Sequence, residues 1–180
     1  MSAISYLHVL SPLHTGTGQG TGVLDLPIAR ETITNWPEIP GSGIKGALRS
    51  VATGLENFPV EAVFGPDLDK SDNASAGSGH VWFGGARILC FPVRSYAGTF
   101  AWITCPLALM SWQRDLETAG FTQQIPQFSV PNVDHIFAST DTALKSGSKV
   151  LLEEIDLTLS VNDETKTLAT FLAESIFDDA

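Results

Sequence analysis

An α+β fold is predicted from three observations. Two well-marked segments carry apolar residues at helical spacing, several others are short β-branched and aromatic runs, and the two kinds alternate along the chain with no internal repeat. A first strand is expected at ISYLHVL (4–10), which mixes β-branched, aromatic and apolar residues and runs into Ser11-Pro12. A glycine-rich loop follows at 11–24. From residue 42, SGIKGALRSVATG places Ile44, Ala47, Leu48 and Val51 on one helical face, with Ser42 suited to the N-cap and Gly54 to the stop. Residues 66–79, PDLDKSDNASAGSG, lack large apolar side chains and read as a mobile surface insertion.

Two strands of a hairpin are expected at HVWFGGARILCFPV (80–93) and TFAWIT (99–104), with Gly84-Gly85 marking a bulge or a close backbone approach. Pro106 opens a second helix, LALMSWQRDLETA, with Leu109, Trp112 and Leu116 on one face and Gly120 closing it. Residues 121–149 read as irregular. VLLEEIDLTLSV (150–161) alternates like a half-buried strand, and TKTLATFLAESIF supplies a last helix. Up to residue 161 the order is β-α-β-β-α-β, the ferredoxin-like or RRM-like plan of an antiparallel sheet with helices on one face, here with irregular insertions.

The composition fits a globular domain. Of the 180 residues 43% are hydrophobic and 17% charged, and no apolar run approaches the ~20 residues of a membrane span. The N-terminus lacks a basic n-region and a cleavage site, so a cytoplasmic protein is expected. Cys90 and Cys105 lie in apolar segments without a CxxC partner and read as buried free thiols. The net charge of −10 weighs against a nucleic-acid partner until its distribution is considered. Residues 1–50 carry three Lys/Arg and three Asp/Glu, whereas residues 101–180 carry four and twelve. The N-terminal third is therefore able to offer a local basic face.

Three groups of residues are candidates for chemistry. Lys45 and Arg49 are one helical turn apart, Gly46 between them removes bulk, and the helix N-terminus at Gly41-Ser42-Gly43 offers free N–H groups, together a seat for phosphate. The alternative is a solvated basic face with a glycine for helix packing. The spacing excludes a nucleotide P-loop, because GSGIKG does not follow GxxxxGK[ST]. His14 and Asp25 flank the glycine loop and are the materials of acid–base or metal-assisted phosphate chemistry, although on their spacing alone a turn-forming or capping Asp25 and a hydrogen-bonded His14 are the more ordinary explanation. Tyr6 and His8 either stack bases from the first strand or belong to the core. His135 has no partner pattern.

The run SPLHTGTGQGTGVLDLPIARETITNWPEIPGSGIKGALRS resembles the N-terminal signature of the RAMP superfamily, whose members build CRISPR effector complexes. FPVRSYAGTFAWITCPLALMSWQRDLETAG is most similar to the type III-B, or Cmr, backbone subunit, the fourth of that complex, and VFG (63–65) and GHVWFGGARIL (79–89) stand in the expected order. The resemblance covers roughly residues 4–160. It implies one RAMP domain over residues 1–180 with an RRM-like palm, stacked head-to-tail with copies of itself along a CRISPR guide RNA beside the other subunits of the type III-B complex. It further implies a metal-dependent endoribonuclease: Asp25 would present a catalytic carboxylate and hold a divalent ion, Mg²⁺ or Mn²⁺, at the paired target RNA. His14 would assist, and Ser42, Lys45 and Arg49 would bind guide phosphate. No membrane partner is implied.

Two departures stand out. Phe83-Gly84-Gly85-Ala86 occupies the place of the family's Phe-Ser-Asp-Ala run, and the chain ends at Ala180, where members of the family continue with further active-site residues. A short chain of this kind is also compatible with a scaffold that binds guide RNA without cutting, and the residues alone leave open an unrelated ferredoxin-like phosphate-binding enzyme.

Overall fold

The computed structural model describes residues 2–18, 26–67 and 77–176. The chain is α+β, and its contacts divide it into two units, Ser11–Ile88 and the remainder, Met1–Leu10 with Leu89–Ala180.

In the 11–88 unit, β1 (Glu38–Ile39) leads into α1 (Gly41–Thr53), followed by α2 (Val60–Phe64) and β2 (Ala86–Arg87). The strands β1 and β2 pair antiparallel, Glu38 with Arg87 and Ile39 with Ala86. Helix α1 starts two residues earlier than its sequence suggests. Pro40 occupies the N-cap and no side chain caps the helix, so Ser42 lies inside the first turn. Proline's fixed φ suits a helix entry, and it displaces the serine from the capping position. Gly54 closes the helix, as expected. The apolar face read from the sequence is not covered within this unit: Ala47, Leu48 and Val51 are exposed, and Ala52 is the buried residue of α1. Phe64 is buried and stacks on Phe83, with ring centroids 5.3 Å apart and planes within 5°.

The second unit begins with β3 (Phe91–Arg94) and β4 (Phe100–Ile103), an antiparallel hairpin in which Phe91 faces Ile103 and Arg94 faces Phe100. Only the end of the expected 80–93 strand belongs to it, because residues 86–87 pair with β1 instead. Helix α3 (Pro106–Ala119) has the predicted bounds, with Pro106 in its first turn and Gly120 at φ 87° ending it. A left-handed residue after the last turn is most easily supplied by glycine.

Beyond α3, β5 (His135–Ala138), β6 (Lys145–Ser146), β7 (Lys149–Leu152) and β8 (Ile155–Val161) form one sheet in the order β5-β8-β7-β6. β5 runs parallel to β8, and the other pairs are antiparallel. The single strand expected at 150–161 is thus a hairpin that reverses at Glu153, φ 51°. Helix α4 (Asp163–Ile176) follows; Asn162 accepts a 2.8 Å hydrogen bond from the Thr165 N–H, and Asp163 and Glu164 lie in the helix's positive first turn.

Two cores hold this unit. Leu109, Trp112 and Leu116 of α3 pack with Ile125 and with Leu168 and Leu172 of α4. Ala101, Val150 and Leu152 form the second core, between the hairpin and the sheet. No strand forms at 4–10 among the described residues; that segment places Ile4 and Tyr6 against the first core without a backbone ladder. Tyr6 packs edge-on against Trp112, and its hydroxyl accepts a 3.1 Å hydrogen bond from the indole N–H. That settles Tyr6 as a core residue. His8 lies edge-on to Trp102, with ring centroids 5.9 Å apart. Both cysteines are partly buried free thiols. Among the described residues no helix is long and apolar enough to cross a membrane.

Candidate nucleic-acid interface

The arms of the glycine loop are clamped antiparallel. Thr17 N–H donates to Pro27 O at 2.9 Å and Ala29 N–H to Thr15 O at 2.7 Å, with a bridge between Gly16 and Ile28. A Cβ at Gly16 would stand 2.6 Å from the Leu26 Cβ, so only glycine lets the arms approach this closely. Glu38 N–H donates to Ala29 O, and the Thr15 hydroxyl donates to Glu38 O at 2.9 Å, which fastens the arms to the strand preceding α1. His14 is exposed, and its Nε2 lies 2.7 Å from the Leu26 carbonyl oxygen. At that distance the nitrogen carries the proton and donates it, which accounts for the histidine as a fastening of the loop base. Asp25 and the rest of the loop tip, residues 19–25, lie outside the described residues, as do residues 68–76 of the expected insertion.

Helix α1 carries two charges, Lys45 and Arg49, and has no acidic residue in its first turn, so nothing on the helix neutralises the positive end of its dipole. The two cations diverge. Arg49 is half-buried and donates to Pro66 O at 3.4 Å. Lys45 instead lines an open cleft of about 240 Å³ together with Gly41, Ser42, Ser78, Gly79, Val81, Trp82 and Phe83. Of the three predicted phosphate ligands, then, the structure brings Ser42 and Lys45 together and directs Arg49 elsewhere. A Cβ on Gly43 or Gly46 would meet no neighbouring atom of the described residues within 4 Å. Among the described residues, then, none packs so closely on position 46 that glycine is required there.

Gly41 is different. A Cβ there would lie 2.3 Å from the Phe83 carbonyl oxygen and 3.0 Å from the Gly84 carbonyl carbon. The start of α1 thus rests directly on the backbone of residues 83–84, so the Gly84-Gly85 pair marks a close backbone approach. Trp82, which lines the cleft and is 96% exposed, is the residue that sequence reasoning passed over. An aromatic inside VWFGGA has the pattern of a buried strand; its only distinguishing signal is the adjoining glycine pair, which interrupts that strand.

A divalent ion needs several oxygen or nitrogen ligands at one point. Among the described residues no three His, Cys, Asp or Glu side chains stand together in that way. The described side chains do not build a metal site by themselves.

Comparison with known proteins adds the family. The RAMP superfamily matches residues 6–169. The CRISPR system Cmr endoribonuclease Cmr4 of Pyrococcus furiosus is 38% identical over 169 residues, which is 88% of this chain and 52% of that protein. The crystal structure of oligomeric Cmr4 from the same organism superposes with a TM-score of 0.67 at 30% identity, over 83% of this chain and 56% of that one. Another crystal structure of Cmr4 gives 0.70 at 32% identity, over 92% and 59% of the two chains. The chain spans little more than half the length of these relatives. With the family match extending over residues 6–169, from before the glycine loop into α4, the chain belongs to the RAMP superfamily.

Proposed function

We propose that this chain is a backbone subunit of a type III-B CRISPR effector complex, a cytoplasmic ribonucleoprotein that holds guide RNA and cuts the complementary target RNA. The observation that carries the reading is the cleft at α1. It combines a lysine with no partner among the described residues, a helix start free of acidic side chains, and glycines at 43 and 46 that leave the helix surface bare. Such a surface suits a phosphodiester backbone, whose oxygens seek cations and N–H donors and need close approach. The similarity to Cmr4 supports the same assignment, including assembly with copies of itself and with other subunits. We take the ferredoxin-like palm as the arrangement that presents these elements; the antiparallel β3–β4 hairpin leading directly into α3 supplies its middle β-β-α step.

Cleavage would use the RNA's own nucleophile. A 2′-OH aligned with the adjoining phosphate closes onto phosphorus as the 5′-oxygen leaves, so the protein's task is to splay one nucleotide and hold that alignment. In this reading Asp25 is the catalytic carboxylate, while His14, which ties the loop base to Leu26 O, is a secondary contributor. A divalent cation, Mg²⁺ or Mn²⁺, would supply charge stabilisation at the phosphate. Because the described side chains build no site for it, we assign it to Asp25 together with oxygens of the RNA. Sequence specificity would come from guide–target pairing.

The test is to purify the chain with the other subunits of its complex, sequence any RNA that comes with it, and add RNA complementary to that guide. Bound guide and metal-dependent cuts at regular intervals support the proposal. Guide binding without cutting would establish the scaffold role instead. Absence of RNA together with tight binding of a small phosphate compound would establish an unrelated phosphate-binding enzyme.

A further inference from the structure

Single exposed apolar residues are ordinary on protein surfaces. Trp82 is not ordinary, because the backbone on both sides of it is pinned while its side chain is left in water. On the N-terminal side, His80 N–H donates to Ala62 O at 2.8 Å and Val81 N–H to Val63 O at 3.3 Å. Gly79 lies so close to α2 that a Cβ would stand 2.5 Å from Val63 O. On the C-terminal side, Phe83 is stacked on the buried Phe64, and its carbonyl abuts Gly41. Between these anchors the indole is 96% exposed and shares a cleft with Lys45 and the hydroxyls of Ser42 and Ser78.

A rigidly mounted aromatic face beside a cation is the arrangement that receives an unpaired base and its phosphate. The cleft, at about 240 Å³ and open to solvent, has room for parts of one nucleotide and not for a duplex. Among the described residues its lining offers a π face, a charge and two hydroxyls, but no side-chain amide or carboxylate to read a base edge, so these groups would accept any base.

We infer that Trp82 is a stacking platform for one unpaired base of single-stranded RNA whose adjoining phosphate lies on Lys45. The inference rests on the RNA-binding reading above and names the part of the ligand that this cleft takes. An exposed aromatic face set beside a cation suits a base and its phosphate, which favours RNA over a second copy of this chain as its occupant.

The experiment measures binding of a ten-nucleotide oligouridylate, and of the same strand with abasic sites, to the full chain and to Trp82→Ala, Trp82→Phe and Lys45→Ala. Trp82→Ala should weaken oligouridylate binding about 5- to 150-fold without changing the salt dependence, Trp82→Phe should keep most of the affinity, and the abasic strand should not distinguish them. Lys45→Ala should weaken both strands and flatten the salt dependence. Normal binding by Trp82→Ala beside weakened binding by Lys45→Ala overturns the stacking role and leaves the RNA-binding reading intact. Normal binding by both variants overturns both. Loss of self-association in Trp82→Ala at unchanged RNA affinity would assign the indole to a protein contact and also overturns the inference. Should Trp82→Ala fail to fold, Trp82→Phe with the abasic strand decides: equal affinity of the chain for the two strands overturns it.

Discussion

Gly46 lies in the middle of α1, and a methyl group placed there would meet no neighbouring atom of the described residues within 4 Å. Gly46→Ala therefore introduces no clash and removes the conformational freedom that glycine must surrender on entering a helix. The gain is about 0.5–1 kcal/mol. For a chain of this size that raises Tm by roughly 1–4 °C. The same methyl group would stand on the surface that we assign to the RNA backbone, and affinity for a single-stranded oligonucleotide should fall about tenfold, the equivalent of ~1.4 kcal/mol.

Gly41→Ala is the counterpart. Its Cβ would press within 2.3 Å of the Phe83 carbonyl oxygen, a backbone atom that cannot rotate away. Overpacking of this kind costs about 1–3 kcal/mol, or roughly 2–12 °C in Tm. Thermal unfolding followed by circular dichroism, with fluorescence anisotropy for RNA, reads both quantities. A stabilised Gly46→Ala protein that binds RNA as well as wild type would refute the idea that this glycine exists for the ligand. A Gly41→Ala protein as stable as Gly46→Ala would refute the contact itself.

Other consequences are equally direct. Lys45→Ala should lower the slope of log K against log salt by about one unit, and addition of Arg49→Ala should lower it further only if the guanidinium leaves the Pro66 carbonyl to reach a phosphate. His14→Ala removes a 2.7 Å tie to Leu26 O at an exposed site, so it should cost cleavage less than tenfold, about the ~1 kcal/mol of one hydrogen bond, and a larger loss in the reconstituted complex would make His14 a direct participant. Burial pushes the Cys90 thiol up to about 11 from the ordinary 9.0, which leaves roughly 100-fold less thiolate at pH 8. In a Cys105→Ser background iodoacetamide should therefore label the native protein far more slowly than the unfolded one. Equal rates would contradict the burial.

Local signals carried well into the structure where they decided an element alone. Pro106 and Gly120 bracket α3 as expected, because a proline entry and a left-handed exit are properties of single residues. The 150–161 segment was less legible. Its turn is made at Glu153 with φ 51°, a conformation that sequence patterns associate with glycine or asparagine, so an alternating run hid a hairpin. The pairing of residues 86–87 with 38–39 depends on a partner some 48 positions away and has no local signature.

In the candidate site, the placing of Ser42 and Lys45 together at the start of α1 was readable from helical spacing. The divergence of Arg49 toward Pro66 was not, since it depends on where the chain returns. Trp82 was missed for a similar reason: whether an aromatic in an apolar run is buried is settled by what packs over it.

The most direct test of the central claim compares wild-type and Asp25→Asn complexes, reconstituted on the same guide, in cutting complementary RNA. The asparagine keeps the size and hydrogen-bonding shape of the side chain and removes its charge. Guide and target binding should be unchanged while the cleavage rate falls on the order of 10²–10³-fold, and chelation of divalent ions in the wild-type complex should reproduce the loss. Wild-type rates from the Asp25→Asn complex would contradict the account and reduce the glycine loop to a turn.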